Sequence, residues 1–173
     1  VGACKITWEE ETVDLAKRWQ PRNIESLSRR VGLQIEGLIG CDLLLQRGLR
    51  IDIPNGELTF QDELPSQGDV SQLRLIGTVT SVPAITSYVA GESTDLVVDT
   101  GAMQTFVCEH HAQGLRRVGT VEDFFPAGGD FTSYLVEMLA VVDGETYEIK
   151  PAVLPPGLES QLSSMYVMGI IGL

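Results

Sequence analysis

The sharpest chemical signal in this sequence is the stretch Leu96-Val97-Val98-Asp99-Thr100-Gly101-Ala102, followed closely by Thr105-Phe106-Val107. An ionisable residue ends an apolar run, and Gly101 permits a sharp turn beside it. The Asp99 carboxylate would leave the sheet at a mouth walled by apolar side chains, where desolvation and a neighbouring carboxylate shift a pKa. Thr100 offers a hydroxyl and Gly101 a backbone N–H, so the loop can hold that carboxylate without a cation. Such a loop suits acid–base work on a polarised carbonyl. Asp95 lies four residues back on the same strand, about 13 Å away at ~3.3 Å per residue, and cannot be a partner carboxylate within one chain. Asp42 reads as the cap of a short helix, and Asp52, in Ile-Asp-Ile-Pro, as a solvent-facing strand residue.

Cys108, His110 and His111 fall within four residues. Adjacent histidines on a strand point to opposite faces, and no further His or Cys pair completes a tetrahedral set, so no metal site is expected. A Cys/His nucleophile pair lacks an Asn or Asp at a recognisable offset. No Gly-rich loop could cradle a phosphate, and no cofactor is expected. Cys4 and Cys41 read as small core residues.

The elements that must position Asp99 are short. Eighteen Gly and eight Pro divide the chain into apolar runs rich in Val, Ile, Leu and Thr, which predicts a mainly β structure. Strands are expected at 50–53, 57–60, 73–79, 84–89, 95–98, 105–108, 134–142 and 145–153. Short helices are expected at 24–30, 42–47 and 158–164. Pro54-Asn55-Gly56 and Asp143-Gly144 read as tight turns, the latter a hairpin dipeptide that accepts positive φ. Residues 61–72 read as a linker.

The two ends of the chain resemble each other. Glu11-Thr12-Val13-Asp14-Leu15 recurs as Glu145-Thr146-Tyr147-Glu148-Ile149, Glu25-Ser26 as Glu159-Ser160, and Gly37-Leu38-Ile39-Gly40 as Gly169-Ile170-Ile171-Gly172. The spacings are 134, 134 and 132 (11 to 145, 25 to 159, 37 to 169), so residues 1–40 read as an older copy of 135–173. Residues 7–20 could by themselves form an amphipathic helix with a Thr7/Glu10 capping box. The repeat favours strand, turn through Glu9-Glu10, and strand.

Composition sets the outer limits. The chain has 173 residues, 43% of them hydrophobic, and a net charge of −12, enough to bury an ordinary core and far from the composition of a disordered chain. Clustered Lys/Arg is absent apart from Arg29-Arg30, which argues against sequence-independent binding to nucleic acid or an anionic membrane. No apolar run approaches the length of a bilayer span and no signal segment opens the chain, so a soluble protein is expected. Three cysteines, an odd number, are too few for a disulfide framework and leave the compartment undecided.

Residues 96–102 resemble the hydrophobic-Asp-Thr-Gly-Ala loop of retropepsin-like aspartic proteases. The segments 37–40 and 169–172 resemble the hydrophobic-hydrophobic-Gly segment that supports this loop. The piece from Leu27-Ser28-Arg29-Arg30-Val31-Gly32 through Ile51-Asp52-Ile53-Pro54 is similar to the closing third of bacterial members. This resemblance covers most of the chain and leaves the linker outside. It implies an all-β retropepsin-like acid-protease fold with short helices, one lobe per chain. Residues 1–60 would be the C-terminal portion of one unit, and 73–173 the N-terminal and central portion of the next. It further implies an aspartic endopeptidase acting on peptide or protein substrates, with Asp99 catalytic and Thr100, Gly101, Ala102, Gly169, Ile170, Ile171 and Gly172 supporting the active loop. Because the sequence holds one Asp-Thr-Gly, the second aspartate is expected from a homodimer partner, or else from a repeat copy whose front end is absent. A flap is expected within 119–132, where Phe124, Phe125 and Phe131 flank Gly128-Gly129. Two other readings stay open: a non-catalytic peptide-binding or dimerisation module on the same fold, and a structural β domain whose Asp-Thr-Gly is a strand-end turn.

Overall fold

The computed structural model describes residues 5–8, 11–14, 24–37, 39–44, 48–61, 73–76, 82–125 and 129–172. Linker residues 62–72, Gly128, and the expected strand and helix ends at 77–79 and 45–47 lie outside these. Two compact units divide the chain, Val1–Ile39 and Gly40–Leu173.

In the first unit, β1 (Lys5–Trp8) pairs antiparallel with β2 (Glu11–Asp14). The hairpin expected there forms, and the helical alternative for 7–20 does not. Helix α1 (Ile24–Val31) follows and ends at Gly32, φ +69°. The Ser28 hydroxyl then accepts the Ile35 N–H at 2.9 Å and donates to its carbonyl at 3.1 Å, satisfying backbone groups just beyond the helix.

The second unit begins with α2 (Cys41–Leu44) and the hairpin of β3 (Gly48–Asp52) and β4 (Glu57–Gln61). Asp42 therefore lies inside the helix and not at its cap. The remaining strands are β5 (Arg74–Ile76), β6 (Val82–Val89), β7 (Glu92–Val98), β8 (Phe106–Val107), β9 (Arg117–Phe125), β10 (Gly129–Val136), β11 (Met138–Val142), β12 (Glu145–Ile149), β13 (Ala152–Val153) and β14 (Gly169–Ile171). Helix α3 (Glu109–Ala112) follows β8, and α4 (Pro156–Ser163) precedes β14. The strands form one curled sheet in the order β12-β11-β6-β7-β14-β8-β13-β10-β9, with β5 added against β6. The architecture is all-β with short helices, as the sequence predicts.

Period-2 alternation builds two cores from the same strands. Phe106 and Ala152 enter one cluster with Leu154, Leu158, Leu162, Val167 and Ile170; their neighbours Val107 and Val153 enter a second with Val89, Leu96, Val136 and Met138. Two expected strands are each broken. The run 134–142 divides at Glu137, because β10 pairs with β9 and β13 whereas β11 pairs with β6 and β12. The run 145–153 divides at Pro151, which has no N–H to donate and is fully buried. Asp143 and Gly144, at φ +53° and +81°, make the expected two-residue turn. Ala90 and Gly91 make a second such turn, between β6 and β7, at φ +51° and +85°.

The closing pairs of the two hairpins, Trp8–Glu11 and Val142–Glu145, are 134 residues apart (8 to 142, 11 to 145). The eight-residue helices α1 and α4 begin 132 residues apart (24 to 156). No described helix is long and apolar enough to cross a membrane.

Candidate active site

Asp99 follows the last residue of β7, and the segment expected to support it is woven into the strands on either side. β14 pairs parallel with β7, Ile170 opposite Val97 and Ile171 opposite Val98. On its other edge it pairs antiparallel with β8, Gly169 opposite Val107 and Ile170 opposite Phe106. The Asp99 N–H donates to the Ile171 carbonyl at 3.0 Å. The Gly172 N–H donates to the Thr105 hydroxyl at 3.3 Å. Residues 169–172 thus join the strand that enters the Asp99 loop to the strand that leaves it.

Both glycines of this segment are required by space. A Cβ on Gly169 would stand 2.4 Å from the Phe106 carbonyl oxygen and 2.7 Å from Leu96 Cδ2; one on Gly172 would stand 2.6 Å from the carbonyl oxygens of Ala102 and Gln104. Ile170 is buried in the core, and Ile171 packs against the second cluster.

Within the loop, the Gly101 N–H donates to Asp99 Oδ1 at 2.8 Å, and the Ala102 N–H donates to the Asp99 carbonyl at 3.2 Å. The carboxylate therefore accepts a backbone donor from its own turn, which favours its ionised form. Asp99, Thr100 and Gly101 are exposed, while Ala102 is half-buried against the first core cluster. The apolar mouth expected around Asp99 is not formed within one chain.

The hairpin of β9 and β10 contains the expected flap. Its strands pair from Gly129 opposite Phe125 and Asp130 opposite Phe124 down to Leu135 opposite Gly119, after which the register shifts. The connection at 126–128, including Gly128, lies outside the described residues. Phe125 and Phe131 are half-buried against the first cluster, and Phe131 meets Phe106 edge-tilted at 5.9 Å between ring centres. Phe124 is half-buried, and its N–H donates to Asp123 Oδ1 at 2.7 Å. Where the hairpin approaches α4, Phe125, Gly129, Phe131, Pro155 and Leu158 line a cleft of about 200 Å³. Neither Pro155 nor Leu158 stood out in the sequence; only the fold brings them opposite the phenylalanines.

The remaining candidates have structural partners. Asp95 accepts the Thr86 hydroxyl at 2.7 Å across β6 and β7. Asp52 accepts the Asn55 N–H and side-chain amide on Oδ1 and Arg50 on Oδ2, so it ties the β3–β4 turn. It is half-buried and not solvent-facing. Its carboxyl is held below the usual range, first by the Asn55 side chain, then by the Asn55 N–H, with the Arg50 charge adding. Cys108 is fully buried, and burial, with Glu159 nearby, pushes its thiol up to about 12. His110 and His111 lie on a helix, not a strand. Their rings are 3.8 Å apart between centres, so the expected divergence to opposite faces does not occur. His111 is buried, and burial and then the neighbouring His110 hold its pKa below the usual value.

No family model matches the chain, and no curated protein matches it in sequence. Among solved structures, EIAV protease complexed with an inhibitor is similar at 14% identity and a TM-score of 0.42, over 56% of this chain and 86% of that one.

Proposed function

We propose that the chain is one lobe of a retropepsin-like aspartic endopeptidase that works as a homodimer, with Asp99 as its catalytic carboxylate. The observation that carries this reading is the insertion of β14 between β7 and β8. It spends a whole strand, and two glycines that tolerate no side chain, on holding one Asp-Thr-Gly turn. A plain strand-end turn needs no such brace. The exposure of Asp99 and Thr100 leaves them free to meet a second copy.

The mechanism rests on two carboxylates. With Asp99 of each chain facing the other across a twofold axis at about 3 Å, both cannot ionise, so one proton is shared. The ionised member takes a proton from a bound water as that water attacks the scissile carbonyl carbon. The protonated member polarises the carbonyl oxygen, and the pair titrates as a unit. In this reading Thr100 hydrogen-bonds the partner's loop, Gly101 orients the carboxylate, and Ala102 with 169–172 fixes the loop to the core. Phe124, Phe125, Gly128 and Gly129 belong to a flap that closes over an extended peptide and excludes water. The cleft between that hairpin and α4 would take an apolar side chain of the peptide.

The equal offsets of the two hairpins and two helices support reading 1–60 as the end of one unit and 73–173 as the front and middle of another, joined by a linker at 61–72.

The test is cleavage of a peptide library at acidic pH. The reading expects cleavage that pepstatin blocks and Asp99→Asn abolishes while the circular dichroism spectrum is unchanged. A stable dimer that cuts nothing would support the peptide-binding or dimerisation module instead. An inert monomer would support a β domain with an incidental Asp-Thr-Gly.

A further inference from the structure

We infer that Glu92, His110 and His111 form a binding site for a divalent zinc-class cation, at the end of the sheet opposite Asp99 and independent of the peptidase reading. The expectation of no metal site depended on the two histidines lying on a strand. On α3 they are successive residues of one helical turn, and both imidazoles turn to the start of β7. His110 Nε2 lies 3.5 Å and His111 Nε2 3.6 Å from the same carboxylate oxygen, Glu92 Oε2. The three ligand atoms lie within 4.8 Å of one another.

Those separations decide between two roles. Hydrogen bonds from ring N–H to carboxylate run at about 2.7–3.2 Å, so neither imidazole is well bonded to Glu92. Tetrahedral zinc with ligands at about 2.0–2.2 Å sets its ligand atoms about 3.3–3.5 Å apart. The triad therefore has the edge lengths of a coordination shell. Burial is graded in a way that suits loading from solvent. The His111 side chain is 2% exposed and fixed in the core, while His110 at 44% and Glu92 at 67% stand on the open side. Water would complete the shell. Two imidazoles with one carboxylate prefer zinc and its transition-metal neighbours to magnesium or calcium, which favour oxygen ligands throughout.

Glu92 is seven residues before Asp99 on an extended strand, roughly 23 Å away at ~3.3 Å per residue. A cation there cannot touch the Asp99 loop. It would clamp α3 to the β6–β7 turn. Cys108, His110 and Glu159 form a second set of the same spacing, but the Cys108 thiol is fully buried and directed at Met168 Sδ, 3.8 Å away.

Calorimetric titration of the full chain with zinc chloride, in a buffer that does not chelate, tests the site, with cobalt(II) absorption as a second readout. The expected result is one ion per chain, affinity at least about tenfold weaker in both His110→Ala and Glu92→Gln, and unchanged affinity in Cys108→Ala. The proposal is overturned if zinc does not bind, if Glu92→Gln binds as tightly as the parent, or if Cys108→Ala is the variant that loses the ion. His110 and Glu92 are exposed, so their variants should fold, which circular dichroism checks.

Discussion

Replacing Gly172 with alanine separates packing around the Asp99 loop from every other effect of a single methyl group. The new Cβ would sit 2.6 Å from two backbone carbonyl oxygens, those of Ala102 and Gln104, about 0.8 Å inside ordinary contact. Neither oxygen ends a flexible side chain, so relief requires the backbone of the Asp99 loop or of β14 to move. Overpacking of this kind costs roughly 1–3 kcal/mol. Movement also threatens the Gly172 N–H to Thr105 hydrogen bond, worth about 1 kcal/mol. Gly172→Ala should therefore destabilise the fold by roughly 2–4 kcal/mol, or roughly 4–16 °C in Tm for a domain of this size. The control is Gly157→Ala on α4, where a Cβ meets nothing within 4 Å. Removing a helical glycine there should be neutral or stabilise by up to about 1 kcal/mol. Urea and thermal unfolding followed by circular dichroism give both values. A Gly172→Ala chain within 0.5 kcal/mol of the parent, a figure on the scale of ordinary surface changes, would refute the claim that this glycine is required by space.

Leu96→Ala, at a side chain 2% exposed in the second core cluster, should cost about 2–5 kcal/mol in the same assay; a loss below 1 kcal/mol would show that the sheet is not packed there. Cys108 should resist alkylation at pH 8 in the folded chain and react in urea, because it is fully buried and its thiol is pushed up to about 12; peptide mapping reads this, and equal labelling in both states would contradict it. Asp52, whose folded pKa is lowered, contributes stability that is present above its unfolded value near ~3.9 and lost as the pH falls through the folded value. Asn55→Ala should raise the Asp52 midpoint, read by carboxyl NMR, and an unmoved midpoint would remove Asn55 as the cause.

Much of the fold was readable because its signals are local. Runs of Val, Ile and Leu placed β6, β7 and β12, Asp143-Gly144 placed the turn between β11 and β12, and the repeat chose a hairpin over a helix at 5–14 where periodicity alone left both open. What escaped depends on partners far apart in the chain. Glu137 interrupts an apolar run at no cost to β propensity, and only the switch from β9 to β6 as neighbour explains the break. Ala90-Gly91 lacks the Asn or Asp that advertises a positive-φ turn. His110 and His111 follow a strand-like run, and a four-residue helix is too short to leave a period. At the candidate site, Asp99 and 169–172 stood out by motif, whereas Thr105, which receives the Gly172 N–H, was an ordinary strand residue until β14 was seen beside β8. The α4 side of the cleft had no signal at all, because it is made by two elements thirty residues apart that meet only when the sheet curls.

The central claim is that the working site is made from two chains, each lending one Asp99. Equimolar wild-type and Asp99→Asn chains, unfolded together and refolded, and assayed for peptide cleavage against the same total concentration of wild-type chain, measure this directly. Random pairing leaves about a quarter of dimers with both aspartates, so activity near a quarter is expected if neither carboxylate works alone. Activity near one half, proportional to the number of wild-type chains, would mean that each Asp99 acts without a twin and would contradict the account.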